Sequence, residues 1–290
     1  MLRDPARVAI RVGVYIMLAY FGLILFSWGF QWTGYLADAV ATNLLTAAVA
    51  NWLTLRIFEA RTLSDAGLWW SRASSSNLGL GLAGGVGAAA AVLLVALVFR
   101  AAHFVTTPDD HPTVGSMIFV IILLACGVIG EELLFRGYGF QVLLAGVGPY
   151  ATIIPLGILF AAAHGMNPNA SWFGLINTGG FGILFGYAYL RSRDLWLPIG
   201  LHLGWNFTLP LFGANLSGLR MKVTGYEMSW TAGPLWSGGE YGPEASILTS
   251  AVVLVLFVYL WKAPIRRQFS PISDPPAEKA VCEPSSLSPS

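Results

Sequence analysis

Two adjacent carboxylates, Glu131 and Glu132, lie inside an apolar stretch whose composition is typical of a membrane-spanning helix. The stretch runs from Met117 to Ala145, and Arg136 is its other charged group. A carboxylate near the middle of a bilayer costs at least about 2.5–3.5 kcal/mol. Two of them side by side are tolerated only with partners or a function, so they constrain both the fold and the activity of this chain.

The composition agrees with a membrane protein. Hydrophobic residues make up 56% of the chain and charged residues 11%, whereas soluble domains are roughly 25% charged. The net charge of +1 gives no reason to expect a nucleic-acid partner. Cys126 and Cys282 form neither a disulfide framework nor a metal-ligand spacing. We therefore expect an all-α integral membrane protein whose surroundings are the lipid bilayer.

The spans can be located by length and hydropathy, since a transmembrane helix needs about 20 mostly apolar residues. Two of the candidates are short, and each contains a proline, Pro155 in one and Pro198 in the other. Proline is tolerated within a span where neighbouring helices or a polar cavity satisfy the backbone groups that it leaves unpaired. About eight segments qualify: Val8–Phe30, Leu36–Phe58, Leu78–Phe99, Ser116–Leu144, Tyr150–His164, Ser171–Leu190, Leu195–Phe212 and Ala245–Trp261.

The basic residues that flank these spans predict the orientation. The side that carries the termini collects Arg3, Arg7, Arg11, Arg56, Arg61, Arg72, Arg191, Arg193, Lys262, Arg266 and Arg267. The other side has Arg100, Arg220 and Lys222. This split predicts that both termini are cytoplasmic in a multi-pass protein of the cell membrane. The Arg-rich, Lys-poor composition with much Ala and Gly is typical of a GC-rich bacterial source, so we expect this membrane to be a bacterial inner membrane.

The spacing of the charged residues divides the two carboxylates between different roles. Arg136 follows Glu132 by four residues, so the two side chains share a helix face and can form an ion pair. Glu131 is rotated by about 100° from Glu132 and faces a different neighbour. We expect Glu132 and Arg136 to support the site structurally and Glu131 to be free for general-base chemistry.

Further polar residues lie in other spans. His164 ends the fifth span, and His202 and Asn206 are one turn apart in the seventh. With Glu131 this set could activate water directly, with Glu131 and His164 as base and orienter and His202 and Asn206 as oxyanion donors. Glu131, His164 and His202 could also hold zinc with an open position. Asn206 is a poor zinc ligand, so we favour no cofactor and keep zinc as the alternative.

These residues resemble the CAAX prenyl protease type II family, also called the CPBP or bacteriocin-processing intramembrane protease family. The resemblance covers roughly residues 115–212, and the turn 238–244 is similar to family members as well. The three motifs of the family match, in order, Glu131, Glu132 and Arg136, then Phe160 and His164, then His202 and Asn206.

The resemblance implies an eight-span helical endopeptidase that cuts membrane-associated peptides or protein tails in a polar chamber within the membrane. It implies a peptide or protein substrate as the partner. By resemblance, Glu131 would activate water with His164, and His202 and Asn206 would stabilise the oxyanion. Historically the family was called metalloproteases, and a metal-independent glutamate mechanism also fits its motifs.

Two other classes of function stay open. A proton-coupled transporter also uses buried Glu and His, although transporters more often show internal repeats. A catalytically silent membrane scaffold or bacteriocin-immunity protein would reuse the fold without the chemistry. We divide the chain into three N-terminal transmembrane helices with an interfacial connection (1–114), a protease core (115–262) and a disordered cytoplasmic tail (263–290).

Depth along the spans predicts where the site lies. Glu131 is about fifteen residues into the fourth span, roughly 22 Å from its outer end at 1.5 Å per residue. His202 is about seven residues from the inner start of its span, roughly 10 Å deep on the same scale. These depths predict a site between the midplane and the inner face that opens toward the cytoplasm.

Overall fold

The protein is an all-α multi-pass membrane protein with one small β-ribbon. The computed structural model describes residues 4–274. Its helices are α1 (Pro5–Phe30), α2 (Tyr35–Phe58), α3 (Arg72–Val98), α4 (Val114–Arg136), α5 (Tyr138–Val147), α6 (Pro149–Ala163), α7 (Trp172–Ser192), α8 (Trp196–Leu211), α9 (Pro234–Ser237) and α10 (Ile247–Lys262), and its strands are β1 (Ala102–Thr106) and β2 (Tyr226–Trp230).

The expected fold class is confirmed by the length and hydropathy of these helices. Among the described residues, 6 helical segments are long and apolar enough to cross a membrane. The seventh and eighth predicted spans correspond to α8 and α10, which are shorter at 16 residues each. The predicted fourth span, Ser116–Leu144, is not one straight helix, because it divides at Gly137 into α4 and α5. The total number of spans and the side of the termini remain predictions.

Connections between helices gather at the two ends of the bundle. We call the end formed by residues 4, 59–71, 193–195 and 263–274 the terminal face, and the end formed by 31–34, 99–113, 164–171 and 212–246 the loop face. On the terminal face, the Leu195 N–H donates to the Gly67 carbonyl at 2.9 Å. On the loop face, β1 pairs antiparallel with β2, and the Arg220 guanidinium bonds Asp110. Each face is thus held together by contacts between distant parts of the chain.

Helices α3 and α8 pack backbone against backbone. A Cβ atom added at Gly85 would lie 2.1 Å from the Leu201 carbonyl oxygen, and one at Gly204 would lie 2.7 Å from that of Leu82. Small residues one turn apart allow this close approach between membrane helices, where dispersion contacts and polar contacts replace the hydrophobic effect. Because α8 carries His202, the glycine contact sets the position of a predicted site residue.

The predicted tail boundary needs correction, because residues 263–274 are ordered against the terminal face. The Asn77 amide donates to the Arg266 carbonyl at 2.9 Å and to the Asp194 carboxylate at 2.8 Å. Ser270 is fully buried. On α7, the Tyr189 hydroxyl donates to Ser270 Oγ at 3.1 Å. Polar partners on α3 and α7 thus fix a segment whose Pro- and Ser-rich composition suggested disorder. The rest of the predicted tail, 275–290, lies outside the described residues.

We expect Gly85→Ala to destabilise the protein by about 1–3 kcal/mol, the usual cost of overpacking a close contact. Gly87 is the matched control, because a Cβ atom there would meet nothing within 4 Å. Gly87→Ala should leave stability unchanged or raise it slightly, since alanine is the better helix former. Thermal unfolding of both variants in detergent checks this, and equal melting temperatures would refute the packing argument.

Candidate active site

A buried three-residue network lies at the centre of the bundle. Glu132 is fully buried, and its Oε1 accepts from Arg136 Nη1 at 3.3 Å and from His202 Nδ1 at 2.9 Å. Arg136 Nη2 donates in turn to the Gly182 carbonyl at 2.8 Å. The pairing of Glu132 with Arg136 that the spacing predicted is present. His202 is a second partner of Glu132, and the network therefore joins α4, α7 and α8.

Aromatic rings enclose this network. The Arg136 guanidinium lies over the ring of Phe160 at 4.7 Å and over that of Phe185 at 5.3 Å. The His202 imidazole stacks on the Phe185 ring with centroids 4.7 Å apart. A cation over a ring face is stabilised more strongly when water is excluded. The rings thus contribute to holding Arg136 and His202 in place while they exclude water.

The break between α4 and α5 is stabilised from α2. Asn51 Oδ1 accepts from the Tyr138 N–H at 2.6 Å, and Asn51 Nδ2 donates to the Leu133 carbonyl at 3.0 Å. The Tyr138 N–H gains its acceptor in this way, and the Leu133 carbonyl, which also accepts from the Gly137 N–H at 3.1 Å, gains a second donor. A backbone group left unpaired in an apolar interior would be costly. A Cβ atom at Gly137 would lie 2.2 Å from Asn51 Oδ1, so glycine is required there. Asn51 therefore supports the turn that carries Glu132 and Arg136.

Glu131 points away from Glu132 and Arg136, toward His164 and toward the ring nitrogen of His202 that does not contact Glu132. Its Oε2 lies 3.8 Å from His164 Nε2 and 3.9 Å from His202 Nε2. Among residues 4–274, no hydrogen-bond donor reaches this buried oxygen. Glu131 thus has the unpaired carboxylate that the sequence predicted, although it is held close to two imidazoles.

The position of His164 fixes its tautomer. His164 follows the last residue of α6, and its Nδ1 lies 2.8 Å from the Phe160 carbonyl oxygen. A carbonyl oxygen only accepts hydrogen bonds, so Nδ1 carries the proton and Nε2 has the free lone pair in the neutral ring. His164 Nε2 and Glu131 Oε2 are therefore two acceptors that face each other.

All the predicted catalytic residues line one cavity of about 460 Å³: Glu131, His164, His202 and Asn206. Further polar lining residues come from outside the three motifs, among them Asn43, Ser217 and Glu244. Asn43 lies on α2, in a region where the sequence carries no motif. Sequence reasoning missed it because a single Asn in an apolar helix does not indicate which neighbour it faces.

Glu244 attaches the loop after α8 to α8 itself. Its Oε1 accepts from Trp205 Nε1 at 3.2 Å, and its Oε2 accepts from the Ser217 backbone N–H and from Ser217 Oγ. Burial raises the pKa of the Glu244 carboxyl above its usual range, and the bonds from Ser217 oppose this rise. In the sequence, Glu244 was indicated only as the last residue of the turn 238–244, which is similar to family members.

The cavity opens toward the loop face, so the predicted opening toward the side of the termini is wrong. Its lining includes Tyr35, the first residue of α2, which is 57% exposed. Leu219 and Met221, in the loop after α8, also line it. On the terminal side, the buried side chains of Arg136 and Gln141 fill the interior. The depths of Glu131 and His202 along their own helices did not predict this direction, because the opening depends on where the surrounding helices leave a gap.

The donor atoms do not fit a tetrahedral zinc ion as they stand. Ligand atoms about 2.0–2.1 Å from zinc would be roughly 3.3–3.4 Å apart, whereas Glu131 Oε2 is 3.8 Å from His164 Nε2 and 3.9 Å from His202 Nε2. Within the described residues, no group of three or more His, Cys, Asp or Glu is arranged to hold a metal ion. We therefore derive no step through a metal.

Fold and site together define a multi-pass helical membrane protein with a polar cavity enclosed between its spans. Residues 113–208, from the start of α4 into α8, match the family described as type II CAAX prenyl endopeptidase Rce1-like. The resemblance drawn from the three motifs is therefore confirmed. Over this segment the chain is similar to CAAX-type intramembrane proteases. No curated protein matches the chain.

We expect Arg136→Ala to lower stability by roughly 3–5 kcal/mol, the usual result of removing one partner of a buried ion pair. Thermal unfolding in detergent measures this loss. Adding Glu132→Gln to Arg136→Ala should recover part of it, because the remaining side chain is then neutral. Arg72→Ala, at an exposed position, is the control and should melt like the parent protein. An unchanged melting temperature in Arg136→Ala would show that Arg136 is not structural.

Proposed function

We propose that the chain is an intramembrane endopeptidase that hydrolyses peptide bonds with water activated by Glu131 and His164. The observation that carries this proposal is the 3.8 Å separation between Glu131 Oε2 and His164 Nε2. Two acceptors at this distance need a donor between them. A water molecule about 2.8 Å from each can donate one proton to each, and its oxygen lone pair is then directed into the cavity.

Hydrolysis would proceed by direct attack of this water. The water oxygen bonds to the peptide carbonyl carbon, the electron pair of the carbonyl π bond moves to the oxygen, and Glu131 takes the proton that the water loses. Glu131 then gives this proton to the amide nitrogen as the carbon–nitrogen bond breaks. A carboxylate within reach of both groups can act first as base and then as acid.

The oxyanion would be stabilised from α8. Asn206 lies one turn after His202 and lines the same cavity, where its amide can donate to the developing charge. His202 donates its Nδ1–H to Glu132 at 2.9 Å, which fixes its orientation. When both ring nitrogens carry a proton, His202 Nε2–H can donate to the oxyanion as well.

The substrate would be a peptide or protein segment in or at the membrane, and the chain a multi-pass protein of a bacterial inner membrane. The lining of the cavity supports a membrane-associated substrate, because apolar side chains such as Leu36, Val40 and Leu123 line it together with the polar residues. A prenylated CAAX peptide is the first probe, since the matched family is named for such substrates. A library of unmodified peptides is the second.

Glu131→Gln should lower the rate of cleavage of these probes by about 10²–10⁴-fold, the usual contribution of a general base. The variant keeps the shape of the side chain and should melt like the parent protein. Product formation in proteoliposomes, followed by mass spectrometry, measures the effect. Glu240→Gln, an exposed change on the loop face, is the matched control. Parental activity in Glu131→Gln would exclude Glu131 as the base.

Direct water activation also predicts that stringent chelation leaves cleavage unchanged. The measurement is elemental analysis of the purified active protein together with cleavage assays before and after chelation. One stoichiometric zinc per chain, with activity lost on removal and restored on addition of zinc, would show that Glu131, His164 and His202 rearrange to bind a metal.

A further inference from the structure

The walls of the cavity show from which end of the bundle it can be entered. It begins at Glu131 and extends to Asn167, after the end of α6, and to Tyr35, at the start of α2. It also reaches Leu219 in the loop after α8. All three of these outer wall residues lie on or beside the loop face. The catalytic His164 itself lies there too, since it follows the fifteenth and last residue of α6.

The opposite end of the site is filled by packed polar side chains. Gln141 is fully buried, and its Nε2 donates to the Arg136 carbonyl at 3.1 Å. Ser270, from the C-terminal segment, bonds Gln141 Oε1 at 3.2 Å and is itself fully buried. These layers lie between the Glu132 network and the terminal face. Access from the terminal face would require this packing to separate.

The two faces differ sharply in basic residues. The described loop face carries three Arg or Lys residues: Arg100, Arg220, which is paired with Asp110 and Glu227, and Lys222, which is paired with Asp110. The terminal face and the helix ends that adjoin it carry a larger set within the described residues: Arg7, Arg11, Arg56, Arg61, Arg72, Arg191, Arg193, Lys262, Arg266 and Arg267. Basic residues near span ends are retained on the cytoplasmic side, so the loop face is the extracytoplasmic one.

We propose that the cavity admits its substrate from the extracytoplasmic side, so that the chain cuts peptides or protein segments exposed at the outer surface of the membrane. This inference rests on the proposed proteolytic function for the nature of the ligand. It rests on cavity geometry and charge alone for the direction of entry. The depth predicted for Glu131 and His202 is compatible with it, because a deep site can be reached through a cavity that crosses the outer half of the membrane.

Single-cysteine labelling tests the direction of entry without requiring activity. The background is Cys126→Ala with Cys282→Ala. Tyr35→Cys and Leu219→Cys report on the cavity mouth, and Ser75→Cys, at an exposed position near the start of α3, reports on the terminal face. A charged, membrane-impermeant maleimide is added to sealed right-side-out and inside-out vesicles from a bacterial host.

The mouth positions should label in right-side-out vesicles and be protected in inside-out vesicles, with the reverse pattern for Ser75→Cys. Each should differ at least tenfold between the two preparations. Mouth labelling from the cytoplasmic side, or equal labelling from both sides, would overturn the proposal. The same pattern is expected when Glu131→Gln is added. The labelling therefore tests the direction of entry separately from the proposed proteolytic function, which the cleavage assay tests.

Discussion

The arrangement of the helices around the cavity depends on the buried contact between Glu132, Arg136 and His202. An isolated ion in a low-dielectric interior is costly, and a buried ion pair is tolerated only with good geometry and further hydrogen bonds. Here one carboxylate oxygen accepts from both basic side chains, and Arg136 also donates to the Gly182 carbonyl. The contact thus determines the relative positions of α4, α7 and α8, and it leaves Glu131 to face the cavity.

Close backbone contacts make this network geometrically feasible. The glycines on α3 and α8 bring these helices together. Gly130 on α4 allows α2 to approach closely as well, because a Cβ atom added at Gly130 would lie 2.9 Å from Leu44 Cα. Through that contact, α2 places Asn51 against the break after Arg136 and Asn43 in the cavity wall. The N-terminal helices, which lie outside the matched family segment, therefore form part of the site.

Much of the core was predictable because its chemistry is local. The spacing of Glu132 and Arg136 on one helix predicted their contact, and hydropathy predicted the helices. The partnership of His202 with Glu132 was not predictable, since it depends on the register between α4 and α8. The break at Gly137 was also missed, because its capping partner, Asn51, is distant in sequence. The direction of the opening depends on how all the helices pack, which no single segment encodes.

The central claim is that water bound between Glu131 and His164 attacks the substrate directly, with no covalent intermediate. Single-turnover cleavage in water labelled with heavy oxygen, quenched in acid and analysed by mass spectrometry, tests this most directly. The account predicts heavy oxygen in the new carboxyl terminus of the product and no peptide attached to the protein at any time point. A peptide–protein adduct that forms and decays at the rate of cleavage would contradict it.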